Sequence, residues 1–143
     1  MLTYQSSNHS KWYCKYHVVF IPKYRKKVIY GNLRKYLGEI LKEMAKRREC
    51  EIEEGHLLKD HVHILISIPP KVSVASAVGY IKGKTAIEIA RKFGNRKKNF
   101  TGESFWARGY LASTVGNNES IIRDYIRNQE DEDRKLEQLN LFK

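Results

Sequence analysis

His61 and His63 stand two positions apart with Val62 between them, inside a run of β-branched and apolar residues. Side chains alternate along a strand, so the two imidazoles project from one face, roughly 6.6 Å apart along the chain. Two imidazoles on one face can share a divalent ion. Val62, Ile64, Ile66 and Ile68 fall on the opposite face, which reads as buried. The same pattern also suits two polar side chains on an exposed sheet face. A catalytic ion needs a further protein donor and open positions for substrate. His17, His56 and Asp60 lie near enough in sequence to be considered, and no spacing selects one of them.

Tyr125 and Gln129 form a second pair, four residues apart in a segment of helical periodicity, which stacks them on one helical face about 6 Å apart. An amide oxygen can bind a divalent ion and a phenol one turn away then lies beside it. The plainer reading packs Tyr125 with Ile121, Ile122 and Ile126 and leaves Gln129 in solvent. Taken together, the two pairs fit strand cleavage of DNA by a tyrosine. The phenolate attacks phosphorus, and the phosphodiester energy is kept in a phosphotyrosine. A divalent ion stabilises charge on the phosphate oxygens. Two histidines and one glutamine, completed by phosphate and water oxygens, suit Mg²⁺ or Mn²⁺. The phenol must lose a proton, with an ordinary pKa of about 10, and no residue stands out as the base.

The elements that must hold these groups are legible in outline. Residues 12–21 are aromatic and β-branched up to Pro22 and predict a buried strand. Leu33, Leu37, Ile40, Leu41 and Met44 recur at helical spacing over 32–48, with Asn32 as a candidate cap. Residues 50–58 and 61–68 predict a hairpin closed by Lys59-Asp60. A helix over 72–93 follows, weakened by Gly79 and Gly83, then a basic loop, a strand over 105–115, and a helix over 119–139 preceded by Gly116-Asn117-Asn118, a possible hinge. The order strand, helix, strand, strand, helix, strand predicts an α+β, ferredoxin-like (RRM-like) antiparallel sheet flanked by helices, with an added C-terminal helix that bears the tyrosine. The 143 residues suit one domain, with a core over about 10–115 and a mobile catalytic helix over about 118–139.

Charge narrows the partner. The formal net charge is +11, more than solubility requires, and points to a polyanion, with nucleic acid ahead of membrane. Residues 11–48 carry twelve Lys or Arg against Glu39 and Glu43, whereas from Glu119 onward seven acidic residues outnumber five basic ones. The cationic surface therefore belongs to the body. Lys23, Arg25, Lys82, Lys84 and Arg108 are the candidate DNA contacts. No segment has the length of a membrane span or the order of a secretory signal, so a cytoplasmic protein is expected. Cys14 and Cys50 are isolated and suggest neither a disulfide framework nor a thiolate metal site.

Tyr16-His17-Val18-Val19-Phe20 with Lys23-Tyr24-Arg25, Asp60-His61-Val62-His63-Ile64-Leu65, Thr114-Val115-Gly116 and Tyr125-Ile126-Arg127-Asn128-Gln129 together resemble the single-tyrosine HUH transposases of small insertion sequences, the TnpA transposases of the insertion sequence 200 type. The likeness spans nearly the whole chain. It implies that His61 and His63 are the metal ligands, Gln129 the third protein ligand, and Tyr125 the nucleophile that forms a 5′-phosphotyrosine. It also implies a homodimer in which the tyrosine helix of one subunit can complete the histidine site of the other, acting on single-stranded DNA hairpins at transposon ends. Lys59 stands where family members often have proline; this removes no ligand or nucleophile. Two other readings are compatible with the residues. One is a non-catalytic RRM-like nucleic-acid module in which Trp12, Tyr13 and Tyr16 stack on bases. The other is a relative that acts on chromosomal palindromic repeats.

Overall fold

The computed structural model describes residues 5–7, 10–94, 105–114 and 119–141. Among the described residues, six strands and three long helices run in the order β1 (Gln5–Ser7), β2 (Ser10–Trp12), β3 (Lys15–Phe20), α1 (Gly31–Arg47), β4 (Glu51–Leu58), β5 (His61–Ser67), α2 (Val74–Phe93), β6 (Leu111–Ser113) and α3 (Glu119–Leu141). A short 3-10 turn, Lys23–Arg25, follows β3.

β4, β5, β3 and β6 lie side by side in that order as an antiparallel sheet. The first and third strands of the β-α-β-β-α-β unit are thus central and the second and fourth are edges, the ferredoxin-like arrangement. Alternation on the two central strands separates the sheet's faces. Val18 and Phe20 of β3 and Val62, Ile64 and Ile66 of β5 point into the main core with Leu37, Leu41 and Met44 of α1 and Val78, Ile81 and Ile89 of α2. The opposite face carries Val19 and Ile21, which pack against Ala107 and Ile126 of α3 in a smaller core. Helices α1 and α2 therefore cover one face, and α3 covers part of the other.

Phe20 is the hub of the main core. It is fully buried, and its ring meets Trp106 edge-on with centroids 4.7 Å apart. Trp106 in turn donates its indole N–H to Thr85 Oγ1 at 3.1 Å. Removing a buried aromatic ring leaves a cavity its neighbours fill only in part, at a cost of about 3–5 kcal/mol. For Phe20→Ala, thermal denaturation should show a midpoint lower by roughly 10–20 °C for a chain of this size.

Three sequence expectations change. The single strand over 12–21 is interrupted, because β2 pairs with β1 as a separate hairpin (Gln5↔Trp12, Ser7↔Ser10) and only Lys15–Phe20 joins the main sheet. The strand over 105–115 reduces to Leu111–Ser113. Gly109, with φ +82, breaks extended geometry there, and Phe105 and Trp106 instead turn their rings into the core. Asn32 does not cap α1: the helix starts at Gly31 with Tyr30 as its cap residue and no side-chain cap bond. The Gly116-Asn117-Asn118 segment, the candidate hinge, lies outside the described residues.

Candidate active site

The hairpin β4–β5 places the histidines. Leu58 pairs with His61 across the two-residue reversal Lys59-Asp60, and His56 pairs with His63. A register shift between Ile52 and Glu54 interrupts β4. Glu53 at that irregularity is held by Lys15 at 2.6 Å and by the Ser67 hydroxyl. His56, His61 and His63 consequently share the face that lies opposite the main core. Val19 pairs with His63, and His17 sits two residues back along β3, opposite Leu65, so the alternation of side chains puts His17 on the same face. Its Nδ1 is 3.2 Å from His63 Nε2. Burial, and then the neighbouring His17, His56 and His61, hold His63 below the ordinary imidazole pKa. At neutral pH it is the neutral form, the state that offers a lone pair to an ion.

His61 is oriented by the residue before it. Its Nδ1 lies 2.8 Å from Asp60 Oδ1, the geometry in which Nδ1–H donates to a carboxylate and leaves Nε2 as a free donor atom for an ion. Asp60 accepts a second bond from Arg25 Nε at 2.9 Å. Burial pushes the Asp60 carboxyl up, but the bonds from His61 and Arg25 outweigh it and hold the group below the usual carboxylate range. The carboxylate is therefore charged when the histidine needs an acceptor. This donor set, a carboxylate-oriented imidazole beside a neutral one on one face, fits a divalent ion. Among the described residues, no three His, Cys, Asp or Glu side chains converge into a fuller cluster, so a complete shell requires a donor of another kind.

A cleft of about 370 Å³ opens over this face, lined by His56, Leu58, His61, His63 and, across it, Ile122, Arg123 and Ile126 of α3. Tyr125 and Gln129 of the same helix point elsewhere. A side-chain carbon at Gly109 would sit 3.9 Å from the Tyr125 hydroxyl and 3.6 Å from the Gln129 amide nitrogen, and that amide donates to the Arg108 carbonyl. The two groups thus meet at Gly109, just before β6, and Tyr125 also packs against the smaller core that contains Val19. The Tyr125 hydroxyl is buried with no hydrogen-bond partner among the described residues. Burial first, and then the negative charge of Asp133, push its pKa far above the ordinary phenol value. In this position Tyr125 is a neutral phenol. The structure brings Tyr125 to Gln129 at Gly109 and His61 to His63 on the sheet face, and neither Tyr125 nor Gln129 lines the histidine cleft.

The five candidate DNA contacts are placed differently from one another. Lys23 lies over the Tyr24 ring and Lys84 over the Tyr80 ring, and Arg108 is exposed. Arg25 is engaged with Asp60 and, at 3.9 Å, with Glu130. Lys82 donates to the carbonyls of Ala107 at 2.7 Å and Gly109 at 2.6 Å, and burial, offset in part by Asp133, draws its pKa down to about 8. If a lysine tracks phosphate, neutralising it should lower the salt slope of DNA binding by about 1. Filter-binding titrations in salt are expected to show that loss for Lys23→Ala, Lys84→Ala and Arg108→Ala, and a smaller one for the inward-facing Lys82.

Asp133 was not among the candidates and proves central to the docking of α3. It is 3% exposed and accepts the Tyr24 backbone N–H at 2.8 Å. Its signal was present in the sequence, because it continues the four-residue spacing of Tyr125 and Gln129 by one more turn. An acidic residue in a charged tail simply reads as solvated.

Comparison with known proteins agrees with this architecture. The sequence profile of a family described as Transposase IS200 like matches residues 10–129. The transposase for insertion sequence element IS200 of Salmonella typhimurium is 43% identical over 137 residues, covering 96% of this chain and 90% of the relative. The ISDra2 transposase TnpA of Deinococcus radiodurans is 29% identical over 120 residues, covering 83% and 86% respectively. In fold, the chain superposes on a crystal structure of a transposase candidate from Deinococcus radiodurans R1 with a TM-score of 0.79 at 24% identity, covering 87% of this chain and 97% of that one. A REP-associated tyrosine transposase bound to a REP hairpin superposes with a TM-score of 0.53 at 15% identity, covering 85% and 68%. With its strand-borne histidine pair, its helix-borne tyrosine and this extent of similarity, the chain belongs to the IS200-like family of transposases.

Proposed function

We propose that this transposase cleaves and rejoins single-stranded DNA at hairpin-marked transposon ends, with Tyr125 as nucleophile and a divalent ion, Mg²⁺ or Mn²⁺, held by His61, His63 and Gln129. The observation that carries the reading is the Asp60-oriented His61 beside a neutral His63 on the open face of the sheet. When bound there, the ion supplies charge neutralisation at the scissile phosphate.

The chain's own residues do the rest. Asp60 fixes the His61 ring so that Nε2 faces the cleft. The Tyr125 oxygen forms a bond to phosphorus as the bond from phosphorus to the 3′ oxygen breaks. The phenol proton leaves, the 3′ oxygen departs as a hydroxyl, and the DNA 5′ end remains on the tyrosine. Rejoining reverses these bonds with a new 3′ hydroxyl as the attacking group.

Tyr125 and Gln129 lie at Gly109 and do not line the histidine cleft, and the reading has the helix redeployed to bring them to the ion. In a homodimer it can complete the histidine site of the other subunit. The decisive assay incubates the protein with single-stranded hairpin DNA from the flanks of its own gene and Mn²⁺, and resolves the products on a denaturing gel. Cleavage accompanied by a protein–DNA adduct is expected. Tight binding with no cleavage across such substrates would favour the non-catalytic module.

A further inference from the structure

The turn between β3 and α1 touches both halves of the divided site. Arg25 stands between two carboxylates: Asp60, which orients His61, at 2.9 Å, and Glu130 on the tyrosine helix at 3.9 Å. One residue earlier, the Tyr24 backbone N–H is bound by Asp133 of the same helix at 2.8 Å. The backbone between these contacts is unusual. Tyr24 and Arg25 have φ of +62 and +52, a left-handed conformation that side-chain-bearing residues adopt at a cost and that persists where the surroundings hold it. What holds it here is visible: Arg25 N bonds to Pro22 O at 2.9 Å on one side, and the buried Asp133 takes the Tyr24 N–H on the other.

We propose that the Lys23–Arg25 turn couples the docking of the tyrosine helix to the orientation of His61, with Arg25 and Asp133 as positioning residues that act through Asp60. Docked α3 shapes the turn through Asp133. The turn presents the Arg25 guanidinium to Asp60, and Asp60 holds the His61 Nδ1–H. A planar guanidinium that fastens one carboxylate while facing a second suits this bridging role, which a lysine's point charge cannot reproduce. Undocking α3 removes Asp133 and Glu130 together and frees Arg25 to rearrange, so that the metal-facing imidazole responds to the position of the helix that carries the nucleophile. The consequence for ion binding rests on the reading of His61 as a metal ligand; the coupling to its ring does not.

The test uses the full chain without metal. Two-bond proton–nitrogen correlation spectra, at a pH where imidazoles are neutral, report which ring nitrogen of His61 carries the proton. The wild type is expected to show Nδ1–H. Asp60→Ala should move the proton largely to Nε2, Arg25→Ala and Asp133→Ala should move it in the same direction, and Asp133→Asn, which retains an acceptor for the Tyr24 N–H, should restore the wild-type pattern. Dispersed backbone amide signals in each variant confirm folding. An unchanged Nδ1–H in both Arg25→Ala and Asp133→Ala overturns the coupling, as does equal loss in Asp133→Ala and Asp133→Asn.

Mn²⁺ titration followed by electron paramagnetic resonance then separates the two readings. Loss of an orienting partner weakens metal binding by about 10–100-fold, and Asp60→Ala should fall in that range with Arg25→Ala and Asp133→Ala several-fold weaker than wild type. If the proton shifts as described while His61→Ala leaves Mn²⁺ affinity unchanged, the metal reading fails and the coupling stands.

Discussion

Tyr125→Phe is expected to abolish the covalent protein–DNA adduct while leaving hairpin binding within about twofold of wild type. The substitution removes one oxygen atom and nothing else. In the docked position that oxygen is buried and has no hydrogen-bond partner among the described residues, so its loss leaves no neighbour unsatisfied and the fold should be at least as stable. Leaving a buried hydroxyl unpaired costs about 1–3 kcal/mol, and removing it relieves that cost. A nucleophile accounts for the whole of a covalent pathway, so the drop should be to the detection limit of a denaturing gel. An adduct that persists in Tyr125→Phe would reject the assignment. A simultaneous loss of binding and of thermal stability would instead indicate a structural role that the burial pattern does not support.

The second large effect concerns the histidine pair. His61→Ala and His63→Ala should each lower divalent-dependent cleavage by at least about 100-fold, the scale on which a Lewis acid or an electrostatic stabiliser contributes. The two variants should differ in a second measurement. His61 is tied to Asp60 and Arg25, and its removal leaves the Asp60 carboxylate without one partner. His63 is 9% exposed and its ring lies against those of both His17 and His56, so His63→Ala should open a void and lower the melting point further. Cleavage rates across a Mn²⁺ series, read beside thermal melts, separate the two contributions. Wild-type rates in both variants would remove the histidines from the mechanism.

The alternation His61, Val62, His63, Ile64, Ile66, Ile68 was sufficient to assign faces to the third core strand, because burial of one sheet face imposes a period of two on any strand that crosses it. The four-residue spacing of Tyr125 and Gln129 likewise placed both on one helical stripe, and they meet at Gly109. Sequence could not show which way that stripe points. The direction is set by long-range contacts: Asp133 with the Tyr24 backbone, and Ile126 with Val19 and Ile21. Strand content near 105–115 was overestimated for a related reason. Phe105 and Trp106 satisfy an aromatic strand pattern, yet Phe105 is helical and Trp106 makes only an isolated antiparallel bridge to Pro22, with both rings in the core. Arg25 is a candidate DNA contact from sequence, and its two carboxylate partners were not legible there because they lie 35 and 105 positions away in the chain.

The Lys59-Asp60 reversal has a consequence for how this chain can tolerate change. Surface loops usually accept added residues at little cost. Here the strand that leaves the reversal carries imidazoles on one side and the hydrocarbon of the main core on the other. One residue inserted between Leu58 and His61 that shifted the pairing would exchange the two sides, turning His61 and His63 into oil and Val62, Ile64 and Ile66 towards water. The length of a two-residue loop is therefore as strictly determined as the identity of the histidines beside it, because it sets both their face and the place of Asp60 against His61.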